Sequence, residues 1–193
     1  MDRLLAVSRA IERALYAIAM AAGWLFVACT IVIVFDVVTR KFGFQLPGMG
    51  STRLQELEWH LHTALFSFWL GIAYIKNAHV RIDILTAPAR PRTQILIEFA
   101  GVLVFALPYC LLALYFSLDF TWIAWTLNEF SDSATGLPWR WIPKGFISAG
   151  LLLLLAAVVS VGMRLVVYLW GPGRLRAPSA FGGASGHHQE GAA

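Results

Sequence analysis

The chain has 193 residues, 59% hydrophobic and 13% charged, with a mean hydropathy of +0.68, more apolar than a soluble domain hides in one core, so composition defines an integral membrane protein. A net charge of +4 does not point to nucleic acid, because the basic residues stand at the ends of apolar runs, where they set orientation and meet headgroups. Cys29 and Cys110 lie inside apolar runs and read as small buried hydrophobes, not as a disulfide or metal pair.

Residues 1–13 carry Arg3, Arg9 and Arg13 and open into the uninterrupted apolar run 14–35. Signal-peptide cores are about 7–15 residues long, and this run meets the ~20 needed to span. It is therefore expected to be a retained first transmembrane helix, with residues 1–13 a short amphipathic lead on the membrane surface. Ala17 with Ala21, and Ala19 with Gly23, form two small-residue edges that allow close helix contact; ordinary lipid-facing alanine fits them equally well. Asp36, Arg40 and Lys41 end the span, and Gly43, Pro47, Gly48 and Gly50 form the first loop.

The second helix, expected over residues 57–75, is where the polarity concentrates. Helical spacing puts Glu56, His60, Thr63, Ser67, Gly71 and Tyr74 on one stripe and Leu57, Leu61, Ala64, Phe68 and Ile72 on the other side. In lipid such a stripe must face protein. Glu56 with His60, and Glu58 with His62, are i,i+4 pairs, so each carboxylate is expected to hold its own histidine. A metal or haem site is the sharper reading. Di-iron bundles use Glu-x-x-His from paired helices, and a transmembrane haem needs histidines on two helices, whereas His60, His62 and His79 all fall on this helix or just after it. No metal and no cofactor is expected.

Pro88 and Pro91 exclude a helix continuing through them. His79, Arg81 and Asp83 precede them, and helical and extended readings both fit that stretch. A solvated basic loop is the plainer interpretation; the sharper one ties Arg81 or Asp83 to a neighbouring helix. The third helix is expected over residues 94–119, with Glu98 one turn inside and a kink at Pro108. From Asp119 to Trp141 tryptophans and phenylalanines alternate with Asn128, Glu129, Asp132 and Arg140, a composition suited to headgroup depth. Gly136-Leu137-Pro138 marks a turn, and Pro143 falls in the first turn of the fourth helix, where a missing amide costs little. That helix, residues 142–169, exceeds the minimum span and predicts tilt; Gly145 with Ala149, and Ala156 with Ser160, are small pairs able to seat another helix. Residues 171–193, rich in Gly, Ala, Pro and Ser, are expected to be a disordered cytoplasmic tail beyond a membrane domain of residues 1–170.

The fold class predicted is thus all-α: an integral membrane protein of four helices with short interfacial amphipathic segments. With the N-terminus inside, ten of the fifteen basic residues are cytoplasmic, which predicts both termini inside. Glu56, Glu58, His60 and the aromatic loop then face outward, towards the periplasm in a bacterium. No phosphate-binding Gly-rich loop, His-Glu-x-x-His or Gly-x-Ser-x-Gly occurs, so an enzyme is not expected. Paired Gly- or Pro-broken segments in both halves, the pointer to a carrier's own substrate site, are missing too.

Four blocks carry a resemblance: Glu56-Leu57-Glu58-Trp59-His60-Leu61; Phe68-Trp69-Leu70-Gly71-Ile72-Ala73-Tyr74; His79-Val80-Arg81-Ile82-Asp83-Ile84; and Gly136-Leu137-Pro138-Trp139-Arg140-Trp141-Ile142-Pro143-Lys144. Together they resemble the small membrane subunit (Q-type, DctQ-like) of tripartite ATP-independent periplasmic (TRAP) transporters, from the first helix to the fourth. The resemblance implies an inner-membrane subunit partnered by a large membrane subunit (M-type), which holds the substrate and sodium sites, and by a periplasmic substrate-binding protein, in sodium-coupled symport of organic acids. On this reading the chain is a static scaffold against which a transport domain slides. Glu56, Glu58, His60, Thr63 and Ser67 pin the second helix; His79, Arg81 and Asp83 tie the cytoplasmic end; Arg140 and Lys144 contact the binding protein or anionic membrane lipid. For each, a purely internal structural role is the competing assignment. A haem-anchoring cytochrome-b-like subunit and a stand-alone small carrier are the alternative functions.

Overall fold

The structure is a computed structural model, and it describes residues 1–44, 47–78 and 88–175. Among them there is no strand. Helix α1 runs Asp2–Lys41, α2 Ser51–Ile75, α3 Pro91–Gly101, α4 Leu107–Thr126 and α5 Trp141–Trp170; a π-helical turn, Val102–Ala106, joins α3 to α4, and a 3₁₀ turn, Gly173–Leu175, follows α5. Among the described residues three stretches are long and apolar enough to cross a membrane: Asp2–Lys41, Pro91–Thr126 and Trp141–Trp170. The 25-residue α2 is not among them, because Arg53, Glu56, Glu58, His60 and His62 crowd its first half.

The expected break between a surface lead and a first span is absent. No proline and one glycine, Gly23, lie between Asp2 and Lys41, so nothing interrupts the backbone ladder and α1 is a single helix of 40 residues. At 1.5 Å per residue it is about 60 Å long, roughly twice the hydrocarbon thickness of a bilayer. Pro91, read from sequence as a stop, instead occupies the first turn of α3, where the missing N–H is one that no helix would have used. The disturbance expected at Pro108 takes a different form. Its ring displaces the carbonyl one turn earlier, and the chain absorbs this as a π turn in which Leu107 N–H bonds Val102 O.

Helix ends repeat one device. Gly43 (φ 65°), Asn77 (φ 54°) and Asn128 (φ 48°) take the left-handed conformation just past α1, α2 and α4. Their amides bond Arg40 O, Tyr74 O and Trp125 O, while the next residues, Phe44, Ala78 and Glu129, bond Thr39 O, Ala73 O and Ala124 O at 3.0 Å. These paired bonds make Schellman caps, which satisfy the last carbonyls of each helix. Glycine and asparagine are the residues that tolerate this conformation at least cost.

The described residues divide into two compact units: those within 1–16, 71–111 and 153–175 form the first, and those within 17–70 and 112–152 the second. The first is built around Leu15, Ile75, Ile95, Val102, Cys110, Ala157, Val158, Val161, Leu165 and Leu169. There Gly71 lets α2 approach α5 so closely that a Cβ would sit 2.8 Å from Leu153 O. In the second, Gly150 does the same against Ser67, whose carbonyl oxygen would be 2.6 Å from an added Cβ. Trp69 Nε1–H donates to Ala19 O at 2.8 Å, and Gly23 lies under the same indole. The Ala19/Gly23 edge therefore packs against α2, whereas Ala17 and Ala21 are exposed. Both cysteines are free and buried. The outward surface is strongly apolar, with Trp24, Phe26, Ile31, Phe105, Leu112 and Phe116 each more than half exposed, a distribution suited to lipid and not to water.

Candidate functional site

The second unit holds the residues that the sequence singled out. α2 opens at Ser51, and its early turns face the loop joining α4 to α5. The Glu56 carboxylate accepts a hydrogen bond from the Ser131 hydroxyl, and its other oxygen accepts the Leu137 amide at 2.5 Å. Gly136 makes room, since a Cβ there would collide with Ser131 and with the carboxylate itself. Arg140 is drawn to the same point: its guanidinium lies 3.5 Å from Ser131 Oγ and 3.6 Å from Asp132. Burial pushes the Glu56 carboxyl up, but the Ser131 and Leu137 hydrogen bonds and the charges of Arg140 and His60 outweigh it and hold the group below its usual range. Arg53 closes the loop from the other side, donating to Thr135 O at 3.2 Å and to Gly48 O at 2.6 Å.

The histidine pairing expected from i,i+4 spacing does not form. His60 Nδ1 lies 2.5 Å from the backbone carbonyl of Glu56, because the carboxylate is turned to the loop. Glu58 Oε1 is buried with no hydrogen-bond partner, and His62 is exposed. Of the remaining stripe residues, Thr63 is half-buried and Ser67 is fully buried against Gly150; Ala64, assigned by spacing to the opposite side, is buried as well. The stripe is thus part of a mixed packed face.

Both residues proposed for outer contacts are engaged within the chain. Lys144 Nζ is 2.5 Å from Glu129 Oε2 and 3.7 Å from the centre of the Phe120 ring. Arg140 N–H bonds Glu129 O at 3.0 Å, a turn made possible by Trp139, which holds the left-handed conformation at φ 65°. Trp125 and Trp141 meet edge to face at 4.6 Å. His79, Arg81 and Asp83 lie outside the described residues.

Three groups of contacts escaped the sequence reading. Asp36, 1% exposed, accepts the Ser51 hydroxyl at 2.9 Å and pairs with Arg40 at 2.6 Å, clamping the start of α2 to the end of α1. Ser148 binds the Ser117 and Thr121 hydroxyls at 2.8 and 3.0 Å. In the first unit, Ser8 and Ser160 hydroxyls are 2.8 Å apart, Arg164 donates to Ser8 at 3.1 Å, and Arg164 and Glu12 form an ion pair. A signal for the last existed: Arg164 is the one charged residue in 145–169 of α5, and such a charge in a spanning segment demands a partner.

A helical membrane protein whose polar side chains tie one helix or loop to another is the class these observations define. Residues 29–168 match the family described as Tripartite ATP-independent periplasmic transporters, DctQ component. The chain belongs to that family and is a component of a transporter of that kind. No curated protein and no solved structure matches it.

Proposed function

We propose that this chain is the small scaffold subunit of a TRAP-type secondary transporter that imports organic acids by sodium-coupled symport. It sits in the bacterial inner membrane, supports the large membrane subunit and helps to seat the periplasmic substrate-binding protein. The observation that carries the reading is the clasp of Glu56 on Ser131 and Leu137. A carboxylate at the mouth of a helix, satisfied by a loop some 75 residues further on, makes a rigid surface and not a binding cavity. A frame against which a larger subunit moves needs that rigidity.

On this proposal the chain crosses the membrane four times, through α1, α2, the α3–α4 run and α5, with both termini cytoplasmic. Helix α2 crosses despite its polarity because Ser67 and Gly71 face α5 within the chain and the large subunit covers the rest. With Arg140 and Lys144 tied to Asp132 and Glu129, the outer contact belongs to the face built on them, including the exposed Trp139 and Asp132. Affinity purification of the tagged chain co-expressed with the adjacent permease genes tests the assignment, with uptake measured in vesicles. Recovery of a stoichiometric large subunit and loss of both assembly and uptake in Glu56→Ala are expected. Full uptake by this chain alone would refute it. Alkaline phosphatase and fluorescent-protein fusions at each loop test the orientation.

A further inference from the structure

The first unit contains an open cleft of about 630 Å³ between the early turns of α1 and the end of α2, lined by Ala6, Arg9, Glu12, Arg13, Tyr16, Ile72 and Lys76. Its lining follows from helical spacing: residues 6, 9, 13 and 16 recur every three or four positions along α1, and 72 and 76 are one turn apart on α2. We propose that this cleft binds the phosphate headgroup of an anionic phospholipid through Arg9, Arg13 and Lys76.

The charge balance requires an anion. Arg9 and Arg13 each use one guanidinium nitrogen, Nε, on the carbonyl one turn earlier, Leu5 O at 3.2 Å and Arg9 O at 3.4 Å, and no other hydrogen bond from either guanidinium occurs among the described residues. No hydrogen bond or ion pair to Lys76 Nζ occurs among the described residues. The one acid in the lining, Glu12, is already paired with Arg164. The three cations of the lining thus have no free counter-charge among the described residues, and guanidinium forks and an ammonium are groups that suit phosphate.

Position selects a lipid over a free anion. Arg13 immediately precedes the uncharged run 14–35, and Lys76 immediately follows the run 61–75, which has no Asp, Glu, Lys or Arg, so both cations stand where charged sequence meets a run without formal charge. On the side of the apolar runs the cleft is lined by Ile72 and the Tyr16 ring, which is half exposed. A headgroup held by the cations leaves its acyl chains along that wall, and Tyr16 has the ring-plus-hydroxyl character of interfacial aromatics. A soluble phosphate gains nothing from the apolar part.

The test is native mass spectrometry of the full-length chain released from nanodiscs of phosphatidylethanolamine doped with phosphatidylglycerol. The parent is expected to retain one phosphatidylglycerol in preference to phosphatidylethanolamine. Each of R9Q, R13Q and K76Q lowers that retention about fivefold, as for the loss of one basic contact at a membrane surface. R92Q, a basic residue of the same unit outside the cleft, leaves it unchanged, and the R9K/R13K variant preserves most of it, so poor folding of a neutral variant does not remove the test. Inorganic phosphate is expected not to displace the lipid. Equal retention in parent and neutral variants, no preference between the two lipids, or displacement by phosphate alone would each overturn the proposal. Because the readout needs no partner subunit, a negative result leaves the transporter assignment untouched.

Discussion

The two units solve the same problem, a carboxylate beside an apolar helix face, in opposite ways. In the second unit Glu56 is bonded directly by dipoles, a hydroxyl and a backbone amide from a loop, with the charge of Arg140 near but not in contact. In the first, Glu12 is neutralised by a full charge, Arg164, on a helix 152 residues further along the chain. A loop donor set holds a carboxylate in one geometry and depends on the loop being folded. A helix-borne ion pair is fixed by packing on either side and fails abruptly when one partner goes. The first arrangement suits a surface that must keep its shape for a partner, the second an internal lock.

Breaking the lock should show the largest effect. Arg164→Leu leaves Glu12 without its partner and strips a donor from Ser8, and the loss of one side of a part-buried pair costs about 2 kcal/mol, between the surface and the fully buried cases. The expected result is a large fall in the thermal unfolding midpoint of the detergent-solubilised protein. The double change Glu12→Gln with Arg164→Met should recover most of that loss, because removing both charges removes the stranded one. If the double variant is as unstable as the sum of its parts, the pair is not acting as a lock.

Gly150→Ala comes next. Its new methyl group would stand 2.6 Å from Ser67 O, and overpacking of this kind costs about 2 kcal/mol. Gly145→Ala, where the nearest atom is a Thr121 methyl at 3.8 Å, should cost nothing and serves as its control in the same unfolding experiment. A matching gain at both positions would show that helix propensity, not close approach, governs α5.

Glu56→Gln sharpens the comparison at the loop. It keeps an acceptor for one donor and removes the charge, costing about 1.5 kcal/mol. Because the folded carboxyl titrates below its unfolded value of about 4.3, its contribution is complete above that value and is lost as pH falls through the lower folded one. Parental protein should therefore lose stability on acidification in that window, and the Gln variant should lose less. Identical pH profiles would remove the charge from the clasp.

Helix content was legible because apolar runs of spanning length need no partner information to be recognised. So was the polarity of α2, and Ser67 and Gly71 do fall on its packed face. The pairing was not. An i,i+4 rule sees local neighbours alone, so it matched Glu56 with His60 when the better donors, Ser131 and the Leu137 amide, were in a loop that spacing cannot reach. A backbone amide leaves no residue signature at all. For α1 the error had another source: Arg3, Arg9 and Arg13 resemble a surface lead until Ser160 and Arg164 are seen against Ser8 and Glu12, which turns the same segment into a packed helix. Pro108 marked the right place, but sequence does not choose between a kink and a π turn.

The smallest expected effect is at Lys144, and it separates the two kinds of neutralisation most finely. Its ammonium meets one carboxylate, Glu129, itself about a third exposed, and one aromatic face, Phe120. Glu129→Gln removes only the ion pair and should cost about 0.5 kcal/mol, falling towards zero in high salt. Phe120→Leu removes only the ring face and should cost a similar amount that salt does not alter. A salt-insensitive Glu129→Gln would mean that the carboxylate works as a hydrogen-bond acceptor, as Glu56 does, and that the loop uses dipoles throughout.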